Sequence, residues 1–151
     1  MHTDGLDDKQ VRHLLLSTGR IALVGASRNP DRPAHEIQRY LQTRGYDVTP
    51  VNPGLAGQDL LGRTVVATLD EAVPLEMVDV FRASEHVPAV VEDAIRLGAR
   101  VVWMQLGVVH EAAAARARAA GLLVAMDRCP LIETRRLGLP PLDTLTPGGT
   151  A

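Results

Sequence analysis

Three times in this chain a stretch with helically spaced apolar residues runs into a glycine and then directly into an apolar run. Gly45 precedes Tyr46–Val51, Gly98 precedes Ala99–Met104 and Gly121 precedes Leu122–Met126. A glycine in that place is the left-handed residue that ends a helix, so the repeated unit is helix, cap, strand. That rhythm prescribes an α/β fold. The apolar positions agree with it: Ala34, Ile37, Tyr40 and Leu41 share one helical face, and so do Val87, Val90, Val91, Ala94 and Ile95. This is the i, i+3, i+4 spacing of helices lying on a sheet. Ser84 is the expected N-cap of the second helix, with Pro88 tolerated in its first turn. Ile21–Val24, Val48–Val51, Val78–Phe81, Val101–Met104 and Leu123–Met126 are short apolar runs bounded by turn residues, as strands covered on both faces should be. The expectation is three layers around a mainly parallel five-stranded sheet.

At 151 residues the chain is long enough to bury such a core without disulfides. Residues 20–137 are expected to form the Rossmann-like domain. Residues 1–19 would be a helical extension in which Val11, Leu14 and Leu15 share a face over about 7–17, and 138–151 a tail that frays from Pro140. The alanine-rich stretch 111–120 reads as a helix. Residues 54–76 break the pattern: Gly54, Gly57 and Gly62 suggest an irregular loop, and Thr64–Ala67 and Leu69–Val73 a short strand and helix in place of a full crossover.

Composition narrows the function. With 46% hydrophobic residues, 23% charged residues and a formal charge of −2, the chain has no electrostatic footprint for nucleic acid or an acidic membrane. Its apolar runs are too short to span a bilayer, and the polar, acidic start MHTDGLDDKQ is unlike a signal peptide; a cytoplasmic location is expected. The single cysteine, Cys129, excludes an internal disulfide framework and a cysteine-based zinc cluster. The five histidines, His2, His13, His35, His86 and His110, show no ligand spacing, so no metal site is expected.

The stretch IALVGASRNPDRP, Ile21 to Pro33, carries most of the functional signal. A strand ending in small residues before a helix is the opening unit of a nucleotide-binding sheet, with the turn placed to meet phosphate. The dinucleotide fingerprint is nevertheless missed, because Ser27 and Pro30 stand where two of its glycines belong. At the end of the second strand NAD enzymes place an acid on the ribose. Here that residue is Asn52, which cannot act as a carboxylate.

Ligands of open parallel sheets bind outside the carboxyl ends of the strands, which singles out the residues following each strand. Gly25, Ala26 and Ser27 follow the first, with Gly25 permitting close approach, Ser27 able to donate to a phosphate oxygen, and Arg28 or Arg32 able to neutralise charge. A plain tight turn with an N-cap explains the same residues. Asn52 and Pro53 follow the second strand and read equally as an Asn-Pro turn. Phe81 and Arg82 close the third, and Arg82 is either a phosphate partner or a solvated arginine. Met104 and Gln105 close the fourth, and Arg128 and Cys129 follow the fifth.

The blocks VGASRNPDRPAHEIQRYLQTRGYDVTPVNP, VDVFR, VWMQLGV and MDRCPLIETRRL, in this order and spacing, resemble the stand-alone bacterial CoA-binding protein family and the N-terminal domain of the succinyl-CoA synthetase alpha subunit. The resemblance covers about residues 20–137. It implies a sheet that holds coenzyme A by its ADP portion, with Gly25, Ala26 and Ser27 as the phosphate turn and Asn52 and Pro53 as the adenosine wall. Phe81 and Arg82 would form a middle clamp, and Met104 and Gln105 a further contact. Where the family pattern often has a lysine and later a histidine after the cysteine, this chain has Leu131 and Thr134.

No nucleophile elbow or carboxylate pair stands out, and in the synthetase the phosphorylated histidine lies in another domain, so no autonomous catalysis is expected. Cys129 beside Arg128 could exchange with the CoA thiol; a buried, apolar Cys129 is the alternative. The expected function is binding of CoA or acyl-CoA, alone or for an acyl-CoA enzyme partner. The alternatives are an NAD(P)-binding redox sensor or oxidoreductase, and an assembly subunit that has lost its ligand.

Overall fold

The computed structural model describes residues 4–142. Its elements follow in the order α1 (Asp8–Ser17), β1 (Arg20–Val24), α2 (Pro33–Thr43), β2 (Asp47–Val51), β3 (Asp59–Leu60), β4 (Arg63–Thr64) and β5 (Met77–Val80). The chain continues through α3 (Val87–Arg96), β6 (Val101–Met104), α4 (Glu111–Ala119), β7 (Leu123–Met126) and α5 (Pro130–Leu137). Five strands form one parallel sheet in the order β2-β1-β5-β6-β7. The chain therefore steps outward from β1 to β2, reverses across β1 to β5, and continues in the other direction. That reversal is the topological switch point of a doubly wound sheet, and it opens a crevice beyond the ends of β1 and β5.

Alternation along the strands divides the core in two. Ala22, Val24, Val78, Val80, Val102, Met104, Val124 and Met126 face the layer of α3 and α4, where Ala113, Ala114 and Ala117 let α4 approach closely. Ile21, Leu23, Met77, Val101, Trp103 and Ala125 face α1, α2 and α5. Trp103 is fully enclosed there and its Nε1 donates to the Arg128 carbonyl at 2.8 Å, so its one polar atom is satisfied.

The N-terminal helix belongs to that second core. Val11, Leu14 and Leu15 are buried in it, each worth roughly 1.5–3 kcal/mol relative to exposure. Asp7 and Gln10 close a capping box at its start, and the Tyr46 hydroxyl donates to the Leu15 carbonyl. At the other end, Leu142 N donates to the Arg44 carbonyl at 2.9 Å and Arg44 donates to the Leu139 carbonyl, so the chain is tied down beyond Pro140. The remainder of the tail expected to fray lies outside the described residues.

Two elements depart from the sequence expectation. Residues 59–64 form a two-stranded antiparallel hairpin, β3–β4, followed by a single parallel bridge from Val51 to Val66 and a 3-10 turn over Leu69–Ala72. The bridge and the 3-10 turn stand where a short strand and helix were expected in place of a full crossover, only the hairpin being unforeseen, and the segment buries Leu60, Val65, Leu69 and Ala72. Ser84 does not cap α3. A 3-10 turn over Ser84–His86 delays the helix to Val87, and Ser84 Oγ instead accepts from Val109 N at 3.0 Å.

Candidate functional site

A cleft of about 820 Å³ opens at the switch point, within the size range of small-molecule sites. It is lined by the β1–α2 loop (Gly25, Ala26, Ser27), the N-terminus of α2 (Arg32, Pro33, Ala34), the end of β2 (Asn52, Pro53), the end of β5 (Phe81, Arg82) and Gln105 after β6. Nine of the residues singled out in the sequence are thus brought together: Gly25, Ala26, Ser27, Arg32, Asn52, Pro53, Phe81, Arg82 and Gln105.

Gly25 is required by the closeness of two loops. Its φ is +93°, and a Cβ there would overlap the Phe81 carbonyl oxygen and lie 2.9 Å from its carbon. The close approach that glycine permits is therefore to the end of β5 and not to a ligand. The N–H groups of Gly25 and Ala26 both donate to the Val51 carbonyl, at 3.0 and 3.3 Å, which leaves neither for phosphate. Ser27 Oγ accepts from Asn29 N at 3.1 Å, and its own proton remains available to the cleft.

Asn52 is a staple. Its Nδ2 donates to the Ala26 carbonyl at 2.8 Å and its Oδ1 accepts from Gly54 N at 2.8 Å, so the amide binds the β1–α2 loop to the turn after β2. Arg82 and Arg32 are exposed, and among the described residues neither has a carboxylate partner. Asp93 also lines the cleft, but Arg96 holds it at 3.0 Å.

Three residues expected at the site are placed elsewhere. Arg28 is exposed and donates to Gln58 Oε1, because the loop turns it outward ahead of α2. Met104 is fully enclosed in the core with Val80, Val102 and Met126, since strand alternation turns it to the α3–α4 face. Cys129 is 7% exposed and packs in the opposite core. Its neighbour Arg128 is committed to Asp4 at 2.6 and 2.9 Å and to Glu133 at 2.6 Å. The guanidinium is thus spent on two carboxylates, and Cys129 takes the buried, apolar alternative. His110 caps α4, with Nδ1 accepting from Ala113 N at 3.0 Å. No group of three or more histidine, cysteine, aspartate or glutamate side chains suited to a metal occurs among the described residues.

Residues 19–135 match the family described as the CoA binding domain. The chain belongs to that family. It is 38% identical over 121 residues to the uncharacterized protein YneT of Bacillus subtilis, covering 80% of this chain and 88% of the relative. Among solved structures, a hypothetical protein from Pyrococcus horikoshii OT3 is 40% identical with a TM-score of 0.85, over 91% of this chain and 96% of that one. The cell-free ID.343 protein from Thermus thermophilus is 37% identical with a TM-score of 0.82, over 87% and 99%. The three-layer fold and the resemblance stated above therefore stand.

Sequence reasoning missed part of the CoA-binding-domain cleft wall. Thr68 and Leu69 line it from the irregular crossover, and Val90 and Val108 from α3 and the loop after β6. Arg32 was legible, because it directly precedes the proline that starts α2 and a helix N-terminus favours anions. Thr68 carried no signal, because its position depends on the hairpin that the sequence did not show.

Proposed function

We propose that this protein binds CoA or acyl-CoA in the switch-point cleft, holds the ligand by its ADP portion, performs no chemistry of its own, and serves an acyl-CoA enzyme in the cytoplasm. The observation that carries the reading is the pair of cations, Arg32 and Arg82, on a cleft with no competing carboxylate for either among the described residues. Unpaired guanidiniums beside a helix N-terminus suit phosphate oxygens. The donors left for such an anion are the Ser27 hydroxyl and the N–H groups of Ser27 and Ala34, none of which donates within the described chain. Pro53 and Phe81 supply apolar surface for an adenine ring. The lining residues include neither histidine nor cysteine, and Asp93 is engaged by Arg96, which supports binding without catalysis.

Arg82→Ala tests this. Calorimetric titration with CoA should show a loss of about 1–3 kcal/mol in affinity with the unfolding transition unchanged. Unaltered affinity would remove Arg82 from the site and the phosphate assignment with it.

A further inference from the structure

Two polar groups in the sheet have no use in the reading above. Asp79 is fully enclosed, and neither carboxyl oxygen has a hydrogen-bond partner. Gln105 lines the cleft at 5% exposure, yet its Oε1 is enclosed and also without a partner. Its Nε2 is not among the enclosed atoms and makes no bond within the described chain, so that atom is the end of the amide open to the cleft.

The register brings the two groups together. Asp79 pairs with Trp103, and Gln105 N donates to the Val80 carbonyl at 3.3 Å, so the β5–β6 ladder continues past Trp103. Alternation puts positions 79 and 81 of one strand and 103 and 105 of the other on the same side, the side to which Trp103 and Phe81 belong. Gln105 is the diagonal neighbour of Asp79, about 8 Å away between Cα positions by strand spacing and rise. A side chain as long as that of glutamine reaches across such a diagonal. Two buried acceptors side by side are costly unless one of them carries a proton.

Asp79 can carry it. Burial pushes its carboxyl well above the ordinary carboxylate range, and no neighbouring charge opposes this. The titratable groups in the layer over this face are His35 and Tyr40 on α2, Tyr46, Cys129 at the start of α5, and the Arg128–Asp4–Glu133 cluster beside β7; none makes a hydrogen bond or ion pair with Asp79. A carboxylic acid kept neutral by an apolar site is an established way to place a donor.

We propose that Asp79 is a positioning residue for the cleft: its carboxylic acid O–H donates to Gln105 Oε1, turning Gln105 Nε2 toward the ligand, so that the site selects a hydrogen-bond acceptor there. The acceptor is a carbonyl oxygen or ring nitrogen. Its identification as part of CoA rests on the function proposed above, whereas the Asp79–Gln105 bond does not.

The test uses the whole protein with Asp79→Leu, which has no donor, and Asp79→Asn, whose amide N–H can replace the acid. Carbon-13 NMR of the wild-type protein at pH 7 should show an un-ionised Asp79 carboxyl. The Gln105 side-chain amide resonances should move in Asp79→Leu and stay near their wild-type positions in Asp79→Asn. CoA affinity should fall about three- to tenfold in Asp79→Leu and be retained in Asp79→Asn. Wild-type affinity should also weaken as alkaline pH ionises Asp79, with no such weakening in Asp79→Asn. An ionised Asp79 at pH 7, or unmoved Gln105 resonances in Asp79→Leu, would overturn the proposal. Wild-type protein that binds no CoA while the NMR results hold would instead overturn the CoA reading alone. Titration with adenosine 3′,5′-bisphosphate, CoA and acetyl-CoA separates the sources of the acceptor. A loss with all three ligands places it on the adenosine, with the latter two on the pantetheine, and with acetyl-CoA alone on the thioester.

Discussion

At the scale of single residues, the cleft depends on residues that fix its loops more than on side chains that face solvent. Gly25 shows this most directly. Because its φ is +93° and the Phe81 carbonyl occupies the space of a Cβ, Gly25→Ala should cost more than about 2 kcal/mol in stability through strain and displaced backbone. It should also weaken ligand binding by moving β5 away from the turn. Urea denaturation and a CoA titration of the same variant check both effects, and a variant as stable as the wild type would contradict the close-approach account. The sequence revealed Gly25, Asn52 and Arg82 because each directly follows an apolar run, where an open parallel sheet places its ligand. What it could not reveal was which of their groups the fold already uses: the Gly25 N–H and both ends of the Asn52 amide are occupied by backbone partners. Met104 and Cys129 illustrate the same limit. Position after a strand marks them, but burial against Val102 in one case and within the α1–α2–α5 layer in the other removes them from the cleft.

At the scale of elements, the helix, glycine and strand rhythm was read correctly at α2, α3 and α4, because the strands after α3 and α4 are uninterrupted apolar runs and Val48 and Val51 mark the buried positions of β2. The β3–β4 hairpin escaped because its strands are two residues long, too short to show alternation. Its tight turn also places Leu61 at φ 54° beside Gly62 at 81°. Those are positions normally taken by Asn-Gly, and leucine gives no such signal. The attachment of the N-terminal segment was equally hidden, since it depends on Asp4 meeting residues more than a hundred positions away. Asp4 accepts from Arg128 and from Met126 N at 2.9 Å, so a carboxylate also covers part of the free edge of β7. Burial pushes the Asp4 and Glu133 carboxyls up. The arginines bound to them, with the N–H groups of Leu6 and Met126 at Asp4, more than offset this and hold both below their ordinary values. Their contribution is therefore complete above the ordinary carboxylate range of about 4 and is lost as pH falls through the lowered folded values. Asp4→Ala leaves Arg128, which is 4% exposed, with Glu133 as its remaining carboxylate, and the loss of its charge-assisted bonds should cost about 1.5–3 kcal/mol at pH 7. The deficit should narrow toward pH 3. Denaturation curves at the two pH values check this, and an equal deficit at both would contradict the sign.

At the scale of the whole molecule, the β2-β1-β5-β6-β7 order gathers the ends of β1, β2, β5 and β6 around one cleft. Family membership over residues 19–135 and the two unpaired guanidiniums suggest what should fill it. The departures from the dinucleotide fingerprint at Ser27, Pro30 and Asn52 direct the reading toward CoA over NAD. The most direct test is native mass spectrometry of freshly purified protein, followed by parallel titration with CoA, acetyl-CoA, NAD and NADP. The account predicts a one-to-one complex with the CoA species and none with the dinucleotides. Binding of NAD or NADP without CoA, or of no ligand at all, would contradict it.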